Sequence, residues 1–274
     1  MKHILSKGLC AVFLIFIVAI SIAPLIWGVI SSFKTNGEII DSAFSLPARL
    51  NTANYINAFR STPLTQYLVN SAVITLLTIA AGLLLFSMAA YVFARFRFFG
   101  RGALYAAIAM SMFIPPAAIV YPIYMLVNRI GLYNTKAILV IAYLALSMPS
   151  CIYVLRSYYL SIPRGIDESA YIDGAGFFRT FFAIMLPLAG PGLATSAILI
   201  YLTSWNDFLY ALILTSGNKA RTVSVALSQF LSSFGSDYGQ LFAASVIVVM
   251  PSIILYLILQ NRVESALIAG SVKG

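Results

Sequence analysis

The sequence predicts an all-α membrane protein, a bundle of about six transmembrane helices, on three observations. Of its 274 residues, 61% are hydrophobic and 9% charged, where a soluble domain of that length carries roughly 25% charged residues. Most of the surface therefore faces something other than water. Apolar runs of spanning length recur between short charged gaps. The basic residues of a chain with formal net charge +9 sit in those gaps, where anionic headgroups and topology signals require them. The charge thus points to membrane lipid as partner and not to nucleic acid.

A helix needs about 20 apolar residues to cross the hydrocarbon core. Six stretches qualify: residues 9–31, 68–93, 103–127, 137–156, 188–214 and 239–260. The first follows Lys2 and Lys7, as a signal peptide would. Its apolar run is too long for such a peptide, and no small-x-small cleavage site precedes Lys34, so it is a retained span. The third contains Pro115, Pro116 and Pro122, which must kink or interrupt it and turn freed carbonyls toward protein or a cavity. That suits a helix lining a pathway, with Tyr121 beside it, and equally a passive kink. The fifth holds Asp207, the only carboxylate in a predicted span, and an intramembrane ionisable group is a functional candidate by default. At about 1.5 Å per residue it lies roughly 28 Å beyond Leu188, near the outer face. Asp207 is therefore either a pathway group with Trp205 and Asn206 or an interfacial residue.

An even number of spans puts both termini on one side. With them inside, Lys2, Lys7, Arg95, Arg97, Arg101, Arg156, Arg164, Arg179, Arg262 and Lys273 are inner, and the other seven of the 17 basic residues are outer. The cluster Arg95, Arg97 and Arg101, in a short turn, is the strongest local signal of that orientation. Trp27, Phe98, Phe99, Tyr158 and Tyr159 fall at predicted interfaces. Cys10 and Cys151 lie in apolar runs and read as small buried hydrophobes, with neither a disulfide framework nor a cysteine metal site. His3 is the only histidine, which removes Ser–His catalysis and the usual zinc sites. No G-x-x-x-x-G-K-[ST] loop is present, so the chain is not itself an ATPase. No internal repeat is visible, which argues against inverted-repeat carriers.

Residues 33–66 and 216–239 form outer loops, and residues 157–187 form an inner one. In the inner loop, Ser161 and Pro163 suit a helix start, with Asp167 and Glu168 in its early turns. Gly174 and Gly176 interrupt helix propensity, and Phe177, Phe178, Phe181 and Phe182 make an apolar segment too short to span. The loop reads as two short helices meeting at a glycine bend, the first polar enough for cytosolic contact.

The same loop resembles a cytoplasmic motif of bacterial importer permeases: Glu-Ala-Ala, three residues, Gly, nine residues, then Ile-x-Leu-Pro. Glu168, Ala170, Gly174, Ile184, Leu186 and Pro187 match at that spacing, and Ser169 replaces the first Ala. Weaker segments extend the resemblance over nearly the whole chain: FKTNGEI at Phe33, LP at Leu46, NY at Asn54, NS at Asn70, IPP at Ile114, GLYNT at Gly131, SWNDF at Ser204, RTVSVAL at Arg221 and the ending AGSVKG. Together they are similar to the carbohydrate (maltose-type) branch, and to the shorter permease subunit of its heterodimer.

The resemblance implies a type I ATP-binding-cassette (ABC) importer permease in the bacterial cytoplasmic (inner) membrane: six spans, both termini cytoplasmic, one permease domain over 1–274. It implies a second permease, a cytosolic ABC ATPase dimer that binds ATP and Mg, and an extracytoplasmic sugar-binding protein, with no cofactor in this chain. Glu168, Ser169 and Ala170 would sit in a cleft on one ATPase and couple its closure to the spans. A proton-coupled secondary transporter using Asp207 is the alternative, and it leaves the Glu168 motif without a role.

Overall fold

The computed structural model describes residues 2–230 and 237–271, with side chains over 10–230 and 237–258. Lys2, His3, Lys7 and Arg262 fall outside the described side chains, and Lys273 with the end of the AGSVKG segment falls outside the described residues. Among the described residues all regular structure is helical: α1 Lys2–Ser31, α2 Asn36–Asp41, α3 Ala53–Ser61, α4 Leu64–Arg95, α5 Arg101–Ser111, α6 Pro116–Arg129, α7 Lys136–Ser161, α8 Gly165–Ile172, α9 Phe177–Leu188, α10 Gly190–Asn206, α11 Leu209–Leu214, α12 Val223–Gln229 and α13 Tyr238–Ser271. Four helices are long and apolar enough to cross a membrane, and up to six spans result if the bent pairs α5–α6 and α9–α10 each count as one.

The two bends have local causes. The third predicted span is broken by 102° between α5 and α6. Pro116 drives the residue before it into extended backbone, and Pro115 sits at φ −60°, ψ 126°. Pro116 then occupies the first turn of α6, where its missing N–H costs nothing. At 11 and 14 residues, neither helix alone covers the roughly 30 Å core. Pro122 stays inside α6. The fifth predicted span starts after a 79° bend between α9 and α10 and ends early, at Asn206, because Asp207 is extended. The stretch expected to run on to residue 214 is the separate helix α11.

The chain forms two compact units, Met1–Thr65 with Ala226–Ile253 and Gln66–Val225 with Ile254–Gly274. In the first, α1 exposes its apolar side chains on every side from Cys10 to Ile26, as a helix solvated by hydrocarbon does. Cys10 is therefore exposed rather than buried. The segment after α1 is knitted by backbone capture. Lys34 is fully buried, and its ammonium donates to the carbonyls of Ser42 and Ala43 at 3.2 and 3.1 Å and to Ser45 Oγ at 3.3 Å. The Asn54 amide donates to the carbonyls of Ser32 and Lys34 at 2.8 and 2.7 Å. Thr35 and Glu38 make a capping box on α2. Hydrogen bonds from the N–H groups of Thr35 and Ala48 hold the Glu38 carboxyl below the usual carboxylate range.

In the second unit α10 packs along α7. Gly192 lies where a Cβ would come within 2.7 to 3.1 Å of Tyr158 Cδ2, Cγ and Cβ, and Cys151, here buried, donates weakly to the Ser196 carbonyl at 3.7 Å. One core cluster gathers Phe86, Tyr91, Leu155, Tyr159, Phe181 and Met185, and another gathers Ile74, Val127, Leu139, Tyr143, Tyr210 and Leu214. Tyr159, expected at an interface, is fully buried and shares a 2.6 Å hydrogen bond with Ser87. Phe99, in contrast, is wholly exposed.

Candidate functional site

Two places in the second unit gather the residues that the sequence singles out. The first is α8. Ser161 does not start it: α7 continues through Ser161, whose hydroxyl donates back to the Tyr158 carbonyl at 2.7 Å. Helix α8 begins beyond Pro163, at Gly165, without a side-chain cap. Pro163 disfavours helical backbone in the residue before it, and Ile162 is indeed extended.

The faces of α8 differ. Gly165, Glu168, Ser169 and Ile172 follow the i, i+3, i+4, i+7 spacing of one helical stripe and are all exposed, Ile172 to 85%. Asp167 and Ala170 are buried on the other side. Ala170 thus packs against its own chain, apart from Glu168 and Ser169. Gly174 ends the helix at φ +77°. Its N–H donates to the Tyr171 carbonyl at 3.0 Å, and the Ala175 N–H to the Ala170 carbonyl at 2.9 Å. These are the paired bonds of a Schellman cap, which places a left-handed residue at this point. A Cβ at Gly174 would meet nothing within 4 Å, so it is the backbone conformation, and not crowding, that favours glycine.

The buried face of α8 is held by charge. Asp167 Oδ2 lies 2.8 Å from Arg95 Nε at the end of α4, and Oδ1 accepts from the Tyr91 hydroxyl at 2.8 Å. Arg95 also donates from Nη2 to the Ile162 carbonyl at 2.7 Å. The Tyr91 ring is fully buried among Tyr159, Phe181, Phe96 and Phe177, with centroids 5.4 to 5.7 Å away. Residues 180–185 of α9 form a π-helical turn that buries Phe181 and Met185, while Phe178 and Phe182 remain exposed. Ile184 and Leu186 pack, half-buried, on the same cluster, and Pro187 is exposed.

The second place is where the third and fifth predicted spans break. A cleft of about 590 Å³ is lined by Pro116, Leu146, Thr203, Asn206, Asp207 and Tyr210, among others. Asp207 Oδ2 accepts from the Tyr143 hydroxyl at 2.9 Å and the Ala211 N–H at 3.0 Å, and Oδ1 from the Tyr210 N–H at 3.4 Å. The carboxylate thus satisfies the first N–H groups of α11, offering the backbone a local alternative to continued helix. The Tyr210 hydroxyl in turn donates to the Pro116 carbonyl at 2.9 Å, tying α11 to the first turn of α6. Trp205 is buried and stacked on Tyr201 at 5.6 Å. Tyr121, 65% exposed, stacks on Tyr124, and Pro115 is exposed at the cap of α6. So Pro116, Asn206 and Asp207 share the cleft, and Trp205, Pro115 and Tyr121 are not among its lining residues. Among the described residues no group of His, Cys, Asp and Glu could hold a metal ion.

Sequence reasoning missed Asp167, Arg95 and Tyr91 at the first place, and Tyr143 and Tyr210 at the second. Helical spacing did hold a signal for Asp167, which lies off the stripe of Gly165, Glu168 and Ser169. Arg95 had registered only as a topology charge.

The chain belongs to the family of binding-protein-dependent transport system inner membrane components, which matches residues 82–268. It is 36% identical to the diacetylchitobiose uptake system permease protein of Streptomyces coelicolor, over 93% of this chain and 85% of the relative. It is 31% identical to the trehalose/maltose transport system permease protein of Thermococcus litoralis, over 100% of this chain and 99% of the relative. Its fold is similar to a chain of a bacterial ABC transporter involved in the import of the acidic polysaccharide alginate, with a TM-score of 0.84 at 21% identity, over 95% of this chain and 97% of that one.

Proposed function

We propose that the chain is one permease subunit of an ATP-driven sugar importer, acting as a single domain over 1–274 with both termini in the cytoplasm. It forms the pathway with a second, distinct permease. An extracytoplasmic binding protein delivers a sugar or oligosaccharide, and a cytosolic ATPase dimer, holding ATP and Mg, drives the cycle. Support for the sugar comes from the likeness to the diacetylchitobiose and trehalose/maltose permeases. The observation that carries the coupling role is α8 itself: an exposed stripe of Gly165, Glu168, Ser169 and Ile172 on a helix whose opposite face is buried and ion-paired. Small residues let a partner surface approach closely, and Glu168 offers a charge-assisted bond to a basic group there. Residues 157–187, with Ile184, Leu186 and Pro187 leading into α10, form the coupling loop.

The expected result of gentle purification is a complex of this chain with a different permease and an ATPase subunit. Reconstitution of that complex should give ATP hydrolysis stimulated by one sugar together with its binding protein. Recovery of a transport-competent oligomer of this chain alone would overturn the reading.

The cleft at Pro116, Asn206 and Asp207 is the candidate stretch of pathway wall. Asp207 is occupied by three donors as a helix cap, which supports a structural role over a proton-carrying one. Asp207→Asn keeps an acceptor for α11, so uptake should fall no more than about threefold, the scale of one modest cap contribution. Uptake should also stay insensitive to an uncoupler at constant ATP. Loss of wild-type uptake on collapse of the proton gradient alone would favour a proton-coupled carrier instead.

A further inference from the structure

We infer that Asp167, Arg95 and Tyr91 form a strut that carries movement of α8 into α4, and that Arg95 and Asp167 are positioning residues for coupling. The inference rests on the coupling role proposed for α8. Three contacts converge on two adjacent turns of α4. The Arg95 guanidinium meets Asp167 in the first turn of α8 at 2.8 Å, and the carbonyl of Ile162, in the linker before α8, at 2.7 Å. Tyr91, one turn earlier on α4, donates to the other oxygen of Asp167. One cation therefore grips α8 and the linker that leads into it, and both Arg95 and Asp167 side chains are about nine-tenths buried, at 7% and 11% exposure.

A buried pair of this kind gives little net stability, because desolvation offsets most of its attraction. What it does give is geometry. The ion pair keeps Arg95 Nε and Asp167 Oδ2 in contact without a hydrogen bond between those two atoms, and the directional bonds to the Ile162 carbonyl and from the Tyr91 hydroxyl set the angle, so displacement of α8 draws the end of α4 with it. The exposed stripe and the strut lie on opposite faces of α8, so one helix receives a load on one side and passes it on from the other. Packed elements moving as rigid bodies are an established way to transmit such a change.

The test uses the assembled complex in proteoliposomes, with ATP hydrolysis, uptake and ATPase retention measured on the same vesicles. Asp167→Asn keeps shape and removes the charge. Its expected result is retained ATPase subunits and basal hydrolysis within about twofold of wild type, with sugar moved per ATP falling roughly tenfold, the scale by which residues between coupled sites alter coupling. Arg95→Lys should lose part of that coupling, since it keeps charge without the fork, and the exchange Arg95→Asp with Asp167→Arg should recover part of it. Glu168→Lys is the companion variant and should lose uptake, with ATPase subunits bound weakly or hydrolysing without transport. If Asp167→Asn keeps the wild-type ratio of sugar to ATP, the strut is wrong while the docking role of α8 stands. If uptake and hydrolysis fall in parallel with membrane abundance, and the exchange recovers neither, the pair is a stability element and the inference is overturned. If Glu168→Lys keeps both full uptake and normal ATPase retention, the docking role itself fails.

Discussion

Glu168→Lys is expected to leave the protein in the membrane at normal abundance and to abolish uptake, with ATPase subunits bound weakly or hydrolysing without transport. Glu168 projects from the exposed stripe of α8 and has no intrachain ion pair among the described residues. Its replacement removes no packing from the bundle, so insertion and folding should survive. A like charge set against a basic partner at a desolvated contact costs about 2–5 kcal/mol, enough to empty the docked state. Gly174→Val should give the same phenotype by a different route. At φ +77° a side chain costs roughly 1–2 kcal/mol, and a β-branched one is stiffest, so the Schellman cap would open and the turn into α9 would shift. Quantitative immunoblots of membranes, retention of the ATPase on purification and radiolabelled sugar uptake check both variants. Full uptake with normal ATPase retention in both would remove α8 from the mechanism.

Gly192→Val should act on the fold and not on coupling. The atoms facing that Cβ include Cβ of Tyr158, which is fixed to the α7 backbone and cannot swing aside as the ring could. Helices α7 and α10 must separate, at a cost of roughly 1–3 kcal/mol for overpacking. Membrane abundance and thermal stability in detergent should fall together, while uptake per remaining molecule changes little. Small residues at such approaches are the usual means of helix association in lipid. Wild-type abundance would show that the two helices tolerate separation here.

These variants separate what the sequence made legible from what it did not. The apolar runs located α1, α4, α7 and α13 because spanning length is a property of consecutive residues. The two bent pairs were only half legible. Pro115 and Pro116 announced a break, but composition does not carry its angle, because contacts such as that of the Tyr210 hydroxyl with the Pro116 carbonyl exist only in the folded chain. Asp207 read as a pathway group or an interfacial residue because hydropathy ignores capping; its carboxylate accepts from the Tyr210 and Ala211 N–H groups where one helix ends and another starts. The bend in residues 157–187 was legible through Gly174, which has the left-handed backbone that the bend required. The partner of Asp167 was not legible, since Arg95 lies 72 positions away and the pairing exists only once α4 and α8 meet. Ala170 illustrates the same limit: within one motif, adjacent residues point to opposite sides of the helix.

That last difference supplies the most direct test of the central claim. A photo-crosslinking amino acid is placed in turn at Glu168, Ser169, Ile172 and Ala170, and each variant is irradiated in membranes containing the full transporter. Adducts to the ATPase subunit are expected from Glu168, Ser169 and Ile172, and none from Ala170. The absence of ATPase adducts at all three exposed positions, in variants that still transport sugar, would contradict that claim.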